Sequence, residues 1–292
     1  MKYQIVHRTA YTYGSTVSAS YGLVCLLPRD TPAQRVESAR VAVIPTPETY
    51  RERIDFFGNR LAHFALLQSH VKLTVTTTSL VDVTGAAAVA FGIGPSWEQV
   101  RDQVAGALSG DCLDARQFVL ASPGVEPSSV VRDFAAPSFT PGRPLVDVLS
   151  DLTGRIYHEF AYKPGVTDLR TTADELIVLR QGVCQDFAHL QIACLRSFGL
   201  PARYVSGYLE TIAPPGREKL QGADVSHAWV SAYVPTLGWI DVDPTNNVFV
   251  GNRHICTAWG RDYFDVSPMR GVIFTEAKTN TMTVNVDVTA VS

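Results

Sequence analysis

A chain of 292 residues, 46% of them hydrophobic and 18% charged, can bury the core of one large domain or two ordinary ones, which excludes a disordered protein. Lys and Arg number 25 against 28 Asp and Glu, a net charge of -3, and no basic cluster occurs, so no nucleic-acid partner is expected. The longest small-apolar run, "GAAAVAFGIG" from Gly85 to Gly94, is too short and too glycine-rich to cross a bilayer, and the start "MKYQIVHRTAYTY" has no signal-peptide apolar stretch. A cytoplasmic protein with no membrane partner is the expectation.

The first part reads as all-β. "YQIVHRTAYTY", "RVESARVAVIPTP" and "HVKLTVTTTSLVDV" are rich in Val, Thr and Tyr with stretches of alternation, and "DFFGNR" (Asp55 to Arg60) is a turn between strands. Short strands separated by turn signals predict a small β-sandwich over residues 1–84. At Gly85 the composition shifts to Ala and Gly, marking a linker. Ser96 followed by Gln99 is a capping-box signal, and residues 85–150 read as linker and helical segment. Between Arg143 and Tyr162, Leu145, Leu149, Leu152 and Ile156 recur at helical spacing. A second helix carries Phe187, Leu190, Cys194 and Phe198 on one face and stops at Gly199, with Pro201 behind it. Strands then return in "RYVSGYLE", "SHAWVSAYVP", "GWIDVDPT" and the tail "TMTVNVDVTAVS". Helices followed by a run of strands define an α+β fold, with residues 151–292 forming a core that includes the C-terminal strands.

Five scattered cysteines with no CxxC pair argue against a disulfide framework and against a structural zinc site. Cys194 lies on the apolar helix face and Cys25 in "GLVCLLP", both core positions, while Cys112 and Cys256 lack a helix-start context. Cys184 differs. It sits at the mouth of the second helix, where unpaired N–H groups and the helix dipole favour a thiolate and can help hold an oxyanion. Gly182 would leave room for a carbonyl carbon to approach the sulfur. On its own such a cysteine is better explained by burial than by catalysis, so a partner base has to decide.

"SHAWVSAYVPTLGWIDVDPTNN" (Ser226 to Asn247) reads as a β-hairpin. Ala228, Val230, Ala232 and Val234 form one apolar face on its first strand, and Ile240 and Val242 on its second. Burying both sets on one side pairs even-numbered residues with even-numbered residues. That demands an odd loop or a bulge, with Gly238 as its place. The same register sends His227 and Asp243 to the opposite face together. A thiol, an imidazole to take its proton and a carboxylate to hold the imidazole complete the set of roles for nucleophilic catalysis. Alone, His227 reads as a satisfied histidine beside Trp229, and Asp243 as a turn residue before Pro244.

These residues resemble the transglutaminase-like superfamily in its bacterial branch. "GVCQDFAHLQIACLRSFGLPARYVSGYLE" is similar to that family's cysteine helix and following strand, and "SHAWVSAYVPTLGWIDVDPTNN" to its His and Asp strands. "HRTAYTYGSTV" with "DFFGNR" resembles the β-rich domain often found before the core, and "GRDYFDVSPMRGV" the segment after it. The resemblance implies a papain-like core, a cysteine helix packed on an antiparallel sheet, with Cys184 as nucleophile, His227 as base and Asp243 as orienting acid. It implies attack on a peptide or protein amide to give a thioester, with no cofactor and no metal. Hydrolysis or peptidase-like action is the first expectation and glutamine transamidation the second. Tyr162, in "FAYKPG", is a candidate second oxyanion donor. Asp186 and His189 turn away from Cys184 on the helix and read as supporting groups, and His254 and Asp262 as cleft-lining or loop residues. Two readings of other kinds remain: a non-catalytic binding module on the same fold, and a zinc site of Cys184, His189 and His227.

Overall fold

The computed structural model describes residues 1–85, 89–211, 225–235, 237–276 and 278–291. Its first strand, β1 (Lys2–Leu27), runs 26 residues and organises everything N-terminal. Around it lie β2 (Gln34–Ile44), β3 (Thr49–Ile54), β4 (Arg60–Leu66) and β5 (His70–Val83). The first half of β1 pairs with β5, and its second half with β4, giving the order β2-β5-β1-β4-β3. The sandwich read from the sequence is therefore one sheet curled on itself. Leu73 and Val75 from one half meet Phe64, Leu66 and Val24 from the other in a single buried cluster. The turn expected at Asp55–Arg60 joins β3 to β4, its Asp55 side chain accepting the amides of Phe57 and Asn59.

The linker region from Gly85 lies partly outside the described residues. Helix α1 (Trp97–Gly106) starts with the expected capping box, Ser96 accepting from the Gln99 amide and Gln99 returning to the Ser96 amide. Short helices α2 (Gly110–Arg116) and α3 (Ser129–Ala135) lead to α4 (Leu145–Glu159), whose Leu145, Leu149, Leu152 and Ile156 are fully buried. Two-residue strand β6 (Ala161–Tyr162) follows, then α5 (Ala173–Leu179), strand β7 (Gln181–Gly182) parallel to β6, and the central helix α6 (Cys184–Ser197). Gly199, at φ +75°, reverses the chain after α6 while its amide bonds to Arg196 and that of Leu200 to Leu195.

The second sheet comprises β8 (Ala202–Leu209), β9 (Ser226–Val234), β10 (Gly238–Asp243), β11 (Val248–Phe249) and β12 (His254–Gly260), in the order β11-β10-β9-β8-β12. Helix α6 packs on it through Phe187, Leu190 and Cys194, which share one core with Ala228, Val230, Ile240 and Val242. A short helix, α7 (Tyr263–Val266), leads out of β12. The C-terminal strands expected with this core, β13 (Met269–Thr275) and β14 (Asn280–Val291), return instead to the first sheet and pair with β1. The second sheet ends at Gly260, and the free edge of the 26-residue β1 offers an unpaired row of amides and carbonyls that these strands satisfy. The sheets also meet in a buried cluster of Tyr3, Ile5, Val81 and Val83 with Tyr208 and Ile255.

Candidate functional site

Cys184 is the first residue of α6, half-buried and packed against the core. No Ser, Thr, Asp or Asn caps this helix. The preceding residue is Val183, whose amide is instead taken by the Asp186 carboxylate at 2.8 Å. Thr167 Oγ1 donates to the same carboxylate oxygen at 2.7 Å. Asp186 is thus the clamp on the helix entry, a role that follows from its place at the third helical position. Gly182 does not hold open a path for a carbonyl. A β-carbon there would stand 2.8 Å from Asp186 Oδ2 and from Leu176 Cδ1, so the missing side chain is the space that this clamp and α5 fill.

The hairpin register is the one expected from hydrophobic patterning. Gly238 pairs with Val234, Ile240 with Ala232 and Val242 with Val230, leaving a three-residue loop, of which Thr236 is outside the described residues. Gly238, at φ +78°, occupies the left-handed position that closes such a loop. His227 and Asp243 accordingly share the face opposite the α6 core. His227 Nε2 donates to Asp243 Oδ2 at 2.7 Å, and the Cys184 thiol lies close enough to His227 to raise its pKa. Asp243 is fully buried. Its Oδ1 accepts the amides of Thr245 and Asn246 from the turn after Pro244, and its Oδ2 accepts the Asn246 side chain at 2.7 Å.

Burial pushes the His227 pKa down, but the hydrogen bonds to Asp243 and Cys184 and the charges of both outweigh it and raise it to about 10. Burial pushes Asp243 up, and the hydrogen bonds from His227 and His254, the His227 charge and Asn246 outweigh that, holding it below the usual carboxylate range. Three other thiols are held protonated by burial. Cys25 and Cys256 are pushed up to about 12, with the charges of Asp55 and Asp241 respectively adding to the effect, and fully buried Cys194 is raised too. Cys112, read from the sequence as lacking a helix-start context, lies in the first turn of α2 within the segment read as helical, with its sulfur 3.8 Å from the Tyr233 hydroxyl.

Tyr162 is brought beside the cysteine by the β6–β7 pairing, which sets it opposite Gly182, two residues before Cys184. The residue is 53% exposed, and its ring is 6.4 Å from that of Phe187. Burial of its hydroxyl, then the charges of Cys184 and Asp186, raise its pKa. His189 goes elsewhere. Its Nε2 accepts the Tyr263 amide at 3.1 Å, burial lowers its pKa to about 4, and among the described residues the donor atoms that converge on His227 are those of Asp243 and His254, not of His189. Asp262 caps α7 through the Phe264 amide and accepts the Gly124 amide at 2.7 Å, a structural role.

His254 is the residue whose place the sequence least discloses. It opens β12, yet its Nε2 lies 3.1 Å from Asp243 Oδ2 on β10. Two strands, β9 and β8, separate these elements, a distance of about 14 Å in a flat sheet. The sheet curls enough for their ends to meet over His227 and Trp229. Gly207 permits this: it pairs with His227, and a β-carbon there would lie 2.1 Å from the Ile255 carbonyl and 2.6 Å from the Trp229 ring. The nearest side-chain donors of His227, Asp243 and His254 lie within 4.8 Å of one another, a spacing that hydrogen bonding to the shared carboxylate already accounts for.

Comparison with known proteins places these elements. The model described as "Bacterial transglutaminase-like N-terminal region" matches residues 3–82, and that of the "Transglutaminase-like superfamily" matches residues 133–244, the stretch that holds Cys184, His227 and Asp243. An uncharacterized protein of Mycobacterium tuberculosis (Rv2569c) is 42% identical over 98% of this chain and 92% of its own length. A protein-glutamine gamma-glutamyltransferase of Pseudomonas aeruginosa is 38% identical over 35% of this chain and 16% of its own length. A crystal structure of a "Putative Cysteine Protease" from Cytophaga hutchinsonii has the same fold, with a TM-score of 0.77 at 23% identity over 100% of this chain and 91% of that one.

Proposed function

Because the chain belongs to the transglutaminase-like superfamily, we propose that it is a cysteine-dependent enzyme that cleaves peptide or protein amides through a thioester on Cys184. The observation that carries this reading is the His227 imidazole, bonded to the buried Asp243 carboxylate and close enough to the Cys184 thiol for that thiol to raise its pKa. With the Nε2 proton committed to Asp243, the other ring nitrogen is left for the sulfur. The Cys184 thiolate adds to the amide carbonyl, and the oxyanion is held by the first-turn amide of Cys184 with the Tyr162 hydroxyl as second donor. The tetrahedral adduct collapses as His227 passes its proton to the departing amine, leaving an acyl thioester. Water or a second amine then attacks the thioester, His227 takes its proton, and the C–S bond breaks to restore the thiolate. Asp243 stays ionised throughout and holds the ring in place.

Hydrolysis is the first outcome. Amine transfer to glutamine side chains is the second, supported by the printed activity of the partly matching Pseudomonas aeruginosa relative. The test is incubation with a panel of peptides and of glutamine–amine pairs, followed by intact-mass analysis. An acyl adduct on Cys184 that decays to free acid supports hydrolysis, and decay only to the amide supports transfer. No adduct and no turnover across both panels would favour a binding module on this fold.

A further inference from the structure

Asp243 Oδ2 serves three donors: His227 Nε2 at 2.7 Å, Asn246 Nδ2 at 2.7 Å and His254 Nε2 at 3.1 Å. The carboxylate is fully buried, so no solvent shares its charge. A carboxylate only accepts, which makes both facing imidazole nitrogens N–H donors. His254 Nδ1 is then left as a buried atom with no partner among the described residues. An orphaned nitrogen costs stability, so its retention calls for a gain elsewhere. The His254 ring is fixed edge-on against Trp229, with centroids 5.3 Å apart, and its backbone pairs with Leu209. The other ionisable groups nearby are engaged: Asp241 accepts from Trp229 Nε1, and Arg253 pairs with Glu210 at the strand end. Among the described residues, Asp243 is therefore the one charged group that His254 Nε2 bonds.

We infer that His254 is a positioning residue that shares the Asp243 carboxylate with His227 and limits how tightly Asp243 holds the His227 proton. A general acid must release its proton to the leaving amine, and a carboxylate with one competing donor fewer would hold the imidazolium more firmly. By drawing on the same oxygen, His254 weakens that grip without touching substrate. The inference rests on the proposed reading of Cys184, His227 and Asp243.

The test is an NMR pH titration of His227, assigned with His227→Gln, in the wild type and in His254→Phe, His254→Gln and His254→Asn. Phe fills the ring volume but donates nothing, Gln places an N–H near the position of Nε2, and Asn is too short to reach. The expected result is a His227 titration moved up by roughly half a pH unit or more in His254→Phe and restored to the wild-type value in His254→Gln. If the Phe variant fails to fold, the Gln and Asn variants carry the same contrast. A His227 titration unmoved in the variants lacking the donor, or moved equally in the Gln variant, overturns the inference. The wild type separates this from the proposed function. A wild-type His227 that titrates at an ordinary histidine pH, with Cys184 no more reactive to iodoacetamide than Cys112, defeats both. A raised wild-type His227 that is indifferent to His254 defeats this inference alone.

Discussion

His227 reaches Asp243 on the diagonal. Extending the β9–β10 ladder one step sets Asp243 opposite Trp229, and the imidazole of His227, two residues along the strand, leans across to bond at 2.7 Å. Diagonal neighbours on adjacent strands are ~7–8 Å apart, within reach of an imidazole and a carboxylate leaning together. The pairing is thus a property of the hairpin register. Its consequence is an imidazole raised to about 10, a protonated ring at neutral pH beside a thiol.

A raised histidine has a definite sign in stability. The charged ring is favoured in the folded state, so its contribution is complete below the unfolded value near 6.5 and is lost as pH rises through about 10. His227→Gln should therefore be less stable than wild type by on the order of a few kcal/mol at pH 6, with the gap closing by pH 10.5. Urea unfolding at the two pH values checks it. A gap that stays constant would mean that the ring is held for packing alone.

The two core-helix cysteines should separate activity from stability. Cys184→Ser should retain the fold and lose both iodoacetamide labelling at this position at pH 7 and any acyl adduct. Cys194→Ala should keep Cys184 labelling while losing ~1 kcal/mol through a small void in a fully buried site. Peptide mass mapping after labelling, with thermal unfolding, reads both. Loss of labelling at Cys184 in a well-folded Cys194→Ala protein would contradict the assignment.

Acid should act through two histidines outside the proposed triad. His7 and His189 are both lowered to about 4, burial being the chief cause in each. The unfolded chain protonates them near 6.5 and the folded chain does not, so stability is complete above 6.5 and falls as pH drops toward 4. His7 also bonds the Tyr208 hydroxyl at 3.0 Å between the two sheets. His7→Gln should flatten the pH 6.5 to 4 slope by about one proton, measured by denaturant unfolding against pH. An unchanged slope would show that His7 protonates freely in the folded protein.

Tyr162→Phe tests the oxyanion donor. The side chain is half exposed, so the change should alter stability little. If its hydroxyl donates to the oxyanion, acylation of Cys184 should slow by about tenfold to several hundredfold. Equal acylation rates in the variant and the wild type would remove Tyr162 from the mechanism.

Gly207→Ala should be among the most damaging single changes in the second sheet. The new carbon meets a backbone carbonyl at 2.1 Å, which cannot swing aside. β8 and β12 would have to separate, and the His254–Asp243 contact with them. A loss of several kcal/mol in unfolding free energy is expected, and a fall of less than about 1 kcal/mol would mean that the sheet curls by another route.

Local rules settled a large share of this protein before any coordinates. Helical spacing located the buried faces of α4 and α6, a capping box opened α1, and Gly199 ended α6, because these depend on neighbours three and four residues apart. Alternation in the hairpin brought His227 and Asp243 to one face, since the period of a strand leaves only two choices. What tertiary structure alone decided involves residues far apart in the chain. The closing of β13 and β14 onto β1 and the meeting of His254 with Asp243 leave no local trace. Each depends on how far a sheet bends and which edge stays unpaired, and those follow from packing summed over the whole core.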